Sequence, residues 1–274
     1  MHLTKHHGLG NDFLVLLDEC QPAAVAVDGA LARAVCDRHR GVGADGLLHG
    51  RAPGASDGDV DVVMRLHNAD GGIAEMSGNG IRCFAQAVAR ARHLDDGATL
   101  RIGTDAGVRV VQLGRTAGAE VEVEVDMGVP GDGPVVPAAV ADRLAGHALE
   151  TADFGNPHLV VRVDDATVVD PGDAGPWLEA QFPDGVNIEF ISLAVAEANP
   201  VIDLRVWERG VGVTEACGTG ACAATVAAAR WGLIGDRARV AMAGGSATVL
   251  LRADGGVTLI GPSVHVASVQ WEGV

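Results

Sequence analysis

Residues 74–83 read AEMSGNGIRC and residues 214–223 read TEACGTGACA. At an offset of 140 residues Glu75 meets Glu215, Gly78 meets Gly218 and Gly80 meets Gly220, while Ser77 meets Cys217. A second pair recurs in the same order: GLGNDFLV (8–15) and DFGNPHLV (153–160) align Gly10–Asn11 with Gly155–Asn156 at an offset of 145. Two matches in one order at nearly one spacing predict two copies of a single α/β unit, related by approximate two-fold symmetry. A site shared by the copies would receive one glycine-rich turn from each.

The chemistry of the turns follows from where they stand. Residues 216–229, ACGTGACAATVAAA, carry no charged side chain, which predicts a helix buried on all sides. Its N-terminus presents unpaired backbone N–H groups and the positive end of the helix dipole. Cys217 sits there, and such a position is expected to lower a thiol pKa from its usual ~8.5 toward that of a working base. Gly218 and Gly220 let backbone amides approach a small anion such as a carboxylate. The turn at Ser77 repeats the design and leads into IRCFAQAVARA. A carboxylate held between two such turns would have one acid/base group on each face of its α-carbon, the geometry of two-base racemisation. Taken alone, Cys217 reads as a small core residue and Ser77 as an ordinary helix N-cap. Their repetition in matching turns favours the chemical reading. Cys83 and Cys222 fall inside the two helices and read as packing residues.

Around the turns, strand-like runs cover 13–18, 60–67, 98–104, 108–113, 121–128, 158–164, 186–193, 201–208, 247–253 and 257–261. VEVEVD (121–126) alternates most clearly, with valines on one face and carboxylates on the other. Helices are expected from Gly29–Ala30, after Gly80, near Pro137, near Pro176 and after Gly220. The Gly/Pro-bounded segment 114–135 marks the seam. The expected halves are 1–117, to which a C-terminal strand 263–274 returns, and 118–262.

Composition excludes several classes. The chain has 274 residues, 48% apolar and 20% charged, with a net charge of −16. That charge argues against nucleic acid or an anionic membrane surface as partner. No apolar stretch reaches the ~20 residues of a membrane span, and the N-terminal MHLTKHHGLGND lacks the apolar core of a secretory leader. Five cysteines (20, 36, 83, 217, 222), without framework spacing, suit the reducing cytoplasm. Lys5 is the only lysine against nineteen arginines, so a pyridoxal-phosphate Schiff base would rest on one residue without supporting context. GVGADG (41–46) follows RHR rather than a strand, which weakens a dinucleotide reading. GTGACA lacks the Lys-Ser/Thr of a P-loop. Neither Cys217–Cys222 nor His6–His7 has metal-site spacing. His39, His49 and His93 read as surface or loop residues. No cofactor and no metal is expected.

With these residues in view the chain resembles the diaminopimelate epimerase family. The resemblance runs through HHGLGNDFLV (6–15), RHRGVGADGLL (38–48), LHNADGGIAEMSGNGIRCFAQ (66–86), FGNPHLV (154–160), GVNIEF (185–190), WERGVGVTEACGTGACA (207–223) and LIGPSVHV (259–266). It implies an α/β (α+β) fold of two pseudo-symmetric domains, each a mostly antiparallel sheet wrapped around a central buried helix. It further implies an active site in the cleft between them, which closes and expels water. The implied activity is cofactor-independent epimerisation of LL- to meso-diaminopimelate by a cytoplasmic homodimer acting on this small-molecule amino-acid substrate. Carried over, Asn11, Asn68, Asn156, Asn187 and Arg209 hold the distal end of the substrate, where Arg209 can meet a carboxylate bidentately. Glu208 and His158 line the reacting centre, and the amides of Gly78–Asn79 and Gly218–Thr219 receive the reacting carboxylate. Asn68, before Ala-Asp-Gly, also reads as a plain turn residue, and Glu208 as an exposed strand end.

Ser77 departs from the pattern, in which both acid/base positions are cysteine. A hydroxyl is far less acidic than a thiol and is a poor base without an activating neighbour. Three readings stay open: a deliberate cysteine replacement, a lineage that works with a Ser/Cys pair as some proline-type racemases do, or a relative with a single strong base acting on another amino acid. A binder of diamino acids without turnover is a fourth. The phenazine-pathway isomerases share the implied architecture but lack the Cys-Gly-x-Gly turn.

Overall fold

The computed structural model describes residues 1–74, 76–194 and 200–273. Glu75, paired above with Glu215, and Val274, the end of the expected C-terminal strand, lie outside the described residues. Two compact units divide the chain: Met1–Asp126 with Gly261–Val274 (unit 1), and Met127–Ile260 (unit 2).

Unit 1 runs β1 (His2–Gly8), β2 (Asn11–Leu17), α1 (Gly29–Cys36), β3 (Gly46–Arg51), β4 (Val62–Asn68), β5 (Ile73–Ala74), α2 (Gly78–Arg92), β6 (Thr99–Thr104), β7 (Gly107–Ala117) and β8 (Glu120–Gly128). β1/β2 pair antiparallel, β2/β3 parallel, β3/β4 antiparallel, β4/β6 parallel, and β6/β7 and β7/β8 antiparallel; β5 forms a short hairpin with β4. Unit 2 runs β9 (Gly131–Asp132), α3 (Ala138–Arg143), β10 (Leu149–Asp153), β11 (Pro157–Arg162), α4 (Pro171–Glu179), β12 (Asn187–Ala194), β13 (Val201–Glu208), β14 (Gly212–Thr214), α5 (Gly218–Arg230), β15 (Arg237–Met242), β16 (Gly245–Leu251) and β17 (Val257–Gln270), whose last turns of chain belong to unit 1. From β10 its pairings repeat those of unit 1 one for one: β10/β11 antiparallel, β11/β12 parallel, β12/β13 antiparallel, β13/β15 parallel, then β15/β16 and β16/β17 antiparallel, with β14 as the side hairpin. The sequence repeat is thus a repeat of topology, and the mixed α/β architecture of two pseudo-symmetric domains is the one expected.

Each unit is built around one helix. Gly78–Ala89 of α2 are buried without exception, and α2 packs against β1, β2, β3, β4 and β7. Gly218–Ala228 of α5 are likewise buried, against β10, β11, β12, β13, β15 and β16. In α5 small residues let the sheet close on the helix backbone, whereas α2 buries larger side chains, Ile81, Arg82 and Phe84 among them. The outer side of unit 1's sheet is covered by α1, where Leu14, Leu16, Ala32, Val35 and Leu47 form a core, so β2 is buried on both faces and reads as a continuous apolar run. In β8 the expected alternation holds: Val121, Val123 and Val125 are buried, and Glu120, Glu122 and Glu124 exposed. No helix among the described residues is long and apolar enough to cross a membrane.

Two expectations need correction. The fourth helix starts at Pro171, not near Pro176, because Asp170 caps it by accepting from Gly172 N–H and Pro171 occupies the first turn; Pro176 lies inside. His49 is a half-buried member of β3, bonded to Asp18, rather than a loop residue.

The His6–His7 pair has a structural use. His6 is fully buried; its Nδ1 bonds Gln86 Oε1 at 2.8 Å and its Nε2 meets the Thr4 hydroxyl at 3.0 Å. Gln86 also accepts from Ser263 and donates to Ala119 O, tying β1, α2, β17 and the β7–β8 turn together. Burial holds the imidazole pKa down at about 4 against an ordinary 6.5. A folded state that refuses a proton the unfolded chain accepts is fully stable above pH ~6.5 and loses stability as the pH falls toward 4. That window is worth on the order of 3 kcal/mol. Denaturant unfolding across it should show this fall, and His6→Asn, which keeps a donor for Gln86, should flatten it.

Candidate active site

A helix N-terminus leaves backbone N–H groups without intrahelical partners, and here those ends are buried. In unit 2 the N-cap of α5 is Cys217, in extended conformation, with Gly220 N–H donating to its Sγ at 3.3 Å. Thr219 Oγ1 lies 3.4 Å from the same sulfur. From there a chain of hydrogen bonds runs inward. Asn156 Nδ2 donates to Thr219 Oγ1 at 3.3 Å, His158 Nε2 bonds Asn156 Oδ1 at 3.1 Å, and His158 Nδ1 bonds Glu189 Oε1 at 2.7 Å. His158 and Glu189 are both fully buried.

Asn187, next to His158 in register, donates to Pro157 O at 2.9 Å and accepts from Arg209 N–H at 3.0 Å, so its amide is oriented by backbone at both ends. Glu208, at the end of β13, is half-buried rather than an exposed strand end, and its carboxylate accepts from the Thr214 hydroxyl of the side hairpin. Arg209 follows; its side chain runs over Gly185, where φ is +69° and an added Cβ would meet the Arg209 methylenes at 2.9 Å.

Unit 1 repeats the cap with different chemistry. Ser77 caps α2, accepting from Gly80 N–H at 3.0 Å; among the described residues no titratable side chain is hydrogen-bonded to its hydroxyl. Asn79 Nδ2 donates to Asn11 Oδ1 at 3.3 Å, and the buried Arg82 donates to Asn79 Oδ1 at 2.7 Å and to Gly78 O at 2.9 Å. Asn68 closes a turn, its N–H bonded to Gly72 O and its carbonyl to Gly71 N–H, as its Ala-Asp-Gly context suggested.

Several positioning residues escaped the sequence reading. Asp45 accepts from Asn11 Nδ2 at 2.8 Å and from Asp12 N–H at 3.0 Å, while Arg38 bridges Asp12 and Asp45, each at 2.7 Å. Lys5, the only lysine, pairs with Asp12 at 2.8 Å. Burial alone would raise the Asp12 pKa, but hydrogen bonds from Arg38 and Lys5 outweigh it and hold the carboxyl below its usual range. The glycines of GVGADG therefore shape a loop, with Gly43 at φ +82°, that delivers Asp45 to Asn11. Glu189 escaped the sequence reading too, although it is the lone charged residue in the run VNIEFISL (186–193).

Cys217 corrects the expected direction of its titration. Burial pushes its thiol well above the ordinary range, and Glu208 and Glu189 push it further; the donors at Thr219 and Gly220 oppose this but do not win. The dipole of a helix terminus is worth at most ~2 kcal/mol, less than full desolvation beside two carboxylates. Cys217 is a thiol at rest.

The family model described as diaminopimelate epimerase matches residues 3–131 and 151–266. A diaminopimelate epimerase of Synechococcus elongatus is 39% identical over 99% of this chain and 98% of its own length. One from Ralstonia nicotianae is 40% identical over 97% and 94%. Among solved structures, a predicted epimerase from Pseudomonas aeruginosa covers 100% of this chain, and 99% of its own, at TM-score 0.73 and 17% identity. A hydroxyproline epimerase from Agrobacterium vitis covers 99% of this chain and 90% of its own at TM-score 0.68 and 16% identity.

The state of Cys217 can be read directly. Ultraviolet thiolate absorbance, taken as the difference from Cys217→Ser, should stay absent through neutral pH and appear only well above the usual thiol range. Because the folded state keeps a proton that the unfolded chain gives up, unfolding free energy should fall with pH above ~8.5. Cys217→Ser should lessen that fall.

Proposed function

The chain belongs to the diaminopimelate epimerase family and is an isomerase, and from that premise we propose that it interconverts LL- and meso-diaminopimelate by cofactor-independent two-base chemistry. The observation that carries the reading is the pair of capped turns: one reactive side-chain atom, Cys217 Sγ or Ser77 Oγ, at the buried N-terminus of each central helix, flanked by glycine amides.

In the proposed reaction the substrate's ammonium group offsets the charge of Glu208 and Glu189, which removes part of what keeps the proton on Cys217. Cys217 then releases its thiol proton to solvent and, as thiolate, takes the α-proton, and the C–H electron pair passes into the carboxylate held by the amides of Gly78–Asn79 and Gly218–Thr219. The Ser77 hydroxyl returns a proton to the other face of the α-carbon and is left as an alkoxide, while Cys217 holds the substrate's proton. One proton from solvent returns to the Ser77 alkoxide and restores the starting state, with thiol and hydroxyl both protonated. A hydroxyl can protonate a carbanion readily, but an alkoxide forms poorly, so turnover is favoured in the direction where Cys217 is the base. Asn11, Asn68, Asn156, Asn187 and Arg209 hold the distal amino-acid end, and Asp45 and Glu208 fix Asn11 and Thr214 in place. The setting is the cytoplasm, where its five free cysteines stay reduced, and the assembly is a homodimer.

A second reading rests on Ser77, whose hydroxyl has no base bonded to it among the described residues: exchange at one face without inversion, on this or a related amino acid. Proton NMR in D₂O with each isomer offered separately decides between them. Two-base epimerisation predicts α-proton loss with interconversion, and Ser77→Cys should raise the rate roughly 10²-fold or more. Exchange without inversion supports the one-face reading, and no exchange by either chain removes diaminopimelate as substrate.

A further inference from the structure

Superposing the two units by strand register exposes a difference behind their matched turns. Phe13 on β2 corresponds to His158 on β11, since each opens the parallel register, Phe13 opposite Gly46 and His158 opposite Asn187. Two residues on, Leu48 of β3 corresponds to Glu189 of β12. The correspondence holds in space. A Cβ placed on Gly80 would meet Leu48 Cδ2 at 3.4 Å, and one placed on Gly220 would meet Glu189 Oε1 at 2.7 Å. The serine turn is thus backed by phenylalanine and leucine, and the cysteine turn by histidine and glutamate. Leucine fills the place in unit 1, so packing does not require a carboxylate there.

Glu189 is also unlike a residue retained for stability. It is fully buried, only Oε1 is bonded, and among the described residues Oε2 has no hydrogen-bond partner. A half-satisfied buried carboxylate costs stability, so its presence here calls for a role other than holding the fold. Its bonded oxygen grips His158 Nδ1, and the opposite ring nitrogen begins the chain through Asn156 and Thr219 that ends on Cys217 Sγ. The direction of donation along such a chain is set at its inner end. With a proton on His158 Nε2 besides the one that Nδ1 donates to the Glu189 carboxylate, Asn156 Oδ1 accepts from Nε2, Asn156 Nδ2 donates to Thr219, and the Thr219 hydroxyl is left to donate to the sulfur. With Nε2 bare, the amide turns over, Thr219 donates to Asn156, and the sulfur must donate instead.

We propose that Glu189 is a positioning residue for Cys217, acting through His158, Asn156 and Thr219 to decide whether the sulfur receives or gives a hydrogen bond. The inference deepens the function proposed above, and its test in the empty protein is independent of the substrate. Among the described residues, the charged groups that act on Cys217 are few. Glu208 comes from β13, Glu189 from β12 and, at the inner end of the chain, His158 from β11. On β10, Glu150 pairs with Arg230 at the far end of α5, and Asp153 accepts from Gly155 N–H; the arginines of β15 are exposed, and β16 carries no charge.

The experiment is a double-mutant cycle read by the pH midpoint of Cys217 thiolate absorbance, without substrate. Glu189→Gln should lower the midpoint by ~1 pH unit or more, since it removes a like charge. Thr219→Val should raise it, since it removes a donor. The Glu189→Gln shift should differ between the native and Thr219→Val backgrounds, because the chain is broken in one. An unchanged midpoint in Glu189→Gln overturns the proposal, and equal shifts in both backgrounds overturn it too, because Glu189 then acts through space alone. Should Glu189→Gln not fold, the paired change His158→Phe with Glu189→Leu installs the apolar pair of unit 1 and must lower the midpoint likewise. With diaminopimelate as substrate, Glu189→Gln should cut kcat for α-proton exchange and leave KM near its native value. If the midpoint moves as stated and no exchange occurs with any variant, the substrate assignment fails and the role of Glu189 stands.

Discussion

Burying the start of a helix is the constraint on which both units depend. A helix packed on all sides still has N–H groups at its first turn that bond nothing within it, and water cannot reach them. Here one side-chain atom answers that need in each unit, Ser77 Oγ for α2 and Cys217 Sγ for α5. The glycines that follow keep the turn narrow enough for the sheets to close over it. Structural need and reactivity therefore meet on one atom, so the reactive groups stand at helix ends rather than on mobile loops.

What could be read in the sequence was whatever depends on local pattern. The two turns, their helices and the alternation of VEVEVD are local, and they were visible. Strands β1, β10 and β15 were not, because HLTKHHG, LETAD and RARVAM mix charges into short runs and become strands only through their neighbours. The start of α4 was displaced toward an apolar stretch, although Asp-Pro at 170–171 carried the true signal. The titration of Cys217 went the other way for a physical reason. A helix terminus is legible in one dimension, whereas desolvation and carboxylates arriving from β12 and β13 are long-range facts. Asp45 and Glu189 share that fate: both stood in quoted motifs, but their partners lie far off in sequence.

The repeat is exact in strand pairing and inexact in side chains, and the differences fall where chemistry would be. Position by position, unit 1 offers Ser77, Leu48 and Phe13 against Cys217, Glu189 and His158 in unit 2. Polar machinery is concentrated behind the thiol, and the hydroxyl is left with an apolar wall. In unit 1 the ionic groups are gathered instead around Asn11, through Asp12, Asp45, Arg38 and Lys5.

The register of β17 bears on the order in which the molecule is made. Residues 264–270 pair with 2–7 of β1, so a strand made before unit 2 borders one made after it. Unit 2 is continuous from Met127 to Ile260 and has all its strands but the closing one's tail while synthesis is under way. Unit 1 begins before unit 2 and is completed after it, with β1 carrying an unpaired edge until residues 264–270 follow. In a nascent chain of this design unit 2 can close before unit 1 does, and unit 1 is the one that depends on protection until residues 264–270 arrive.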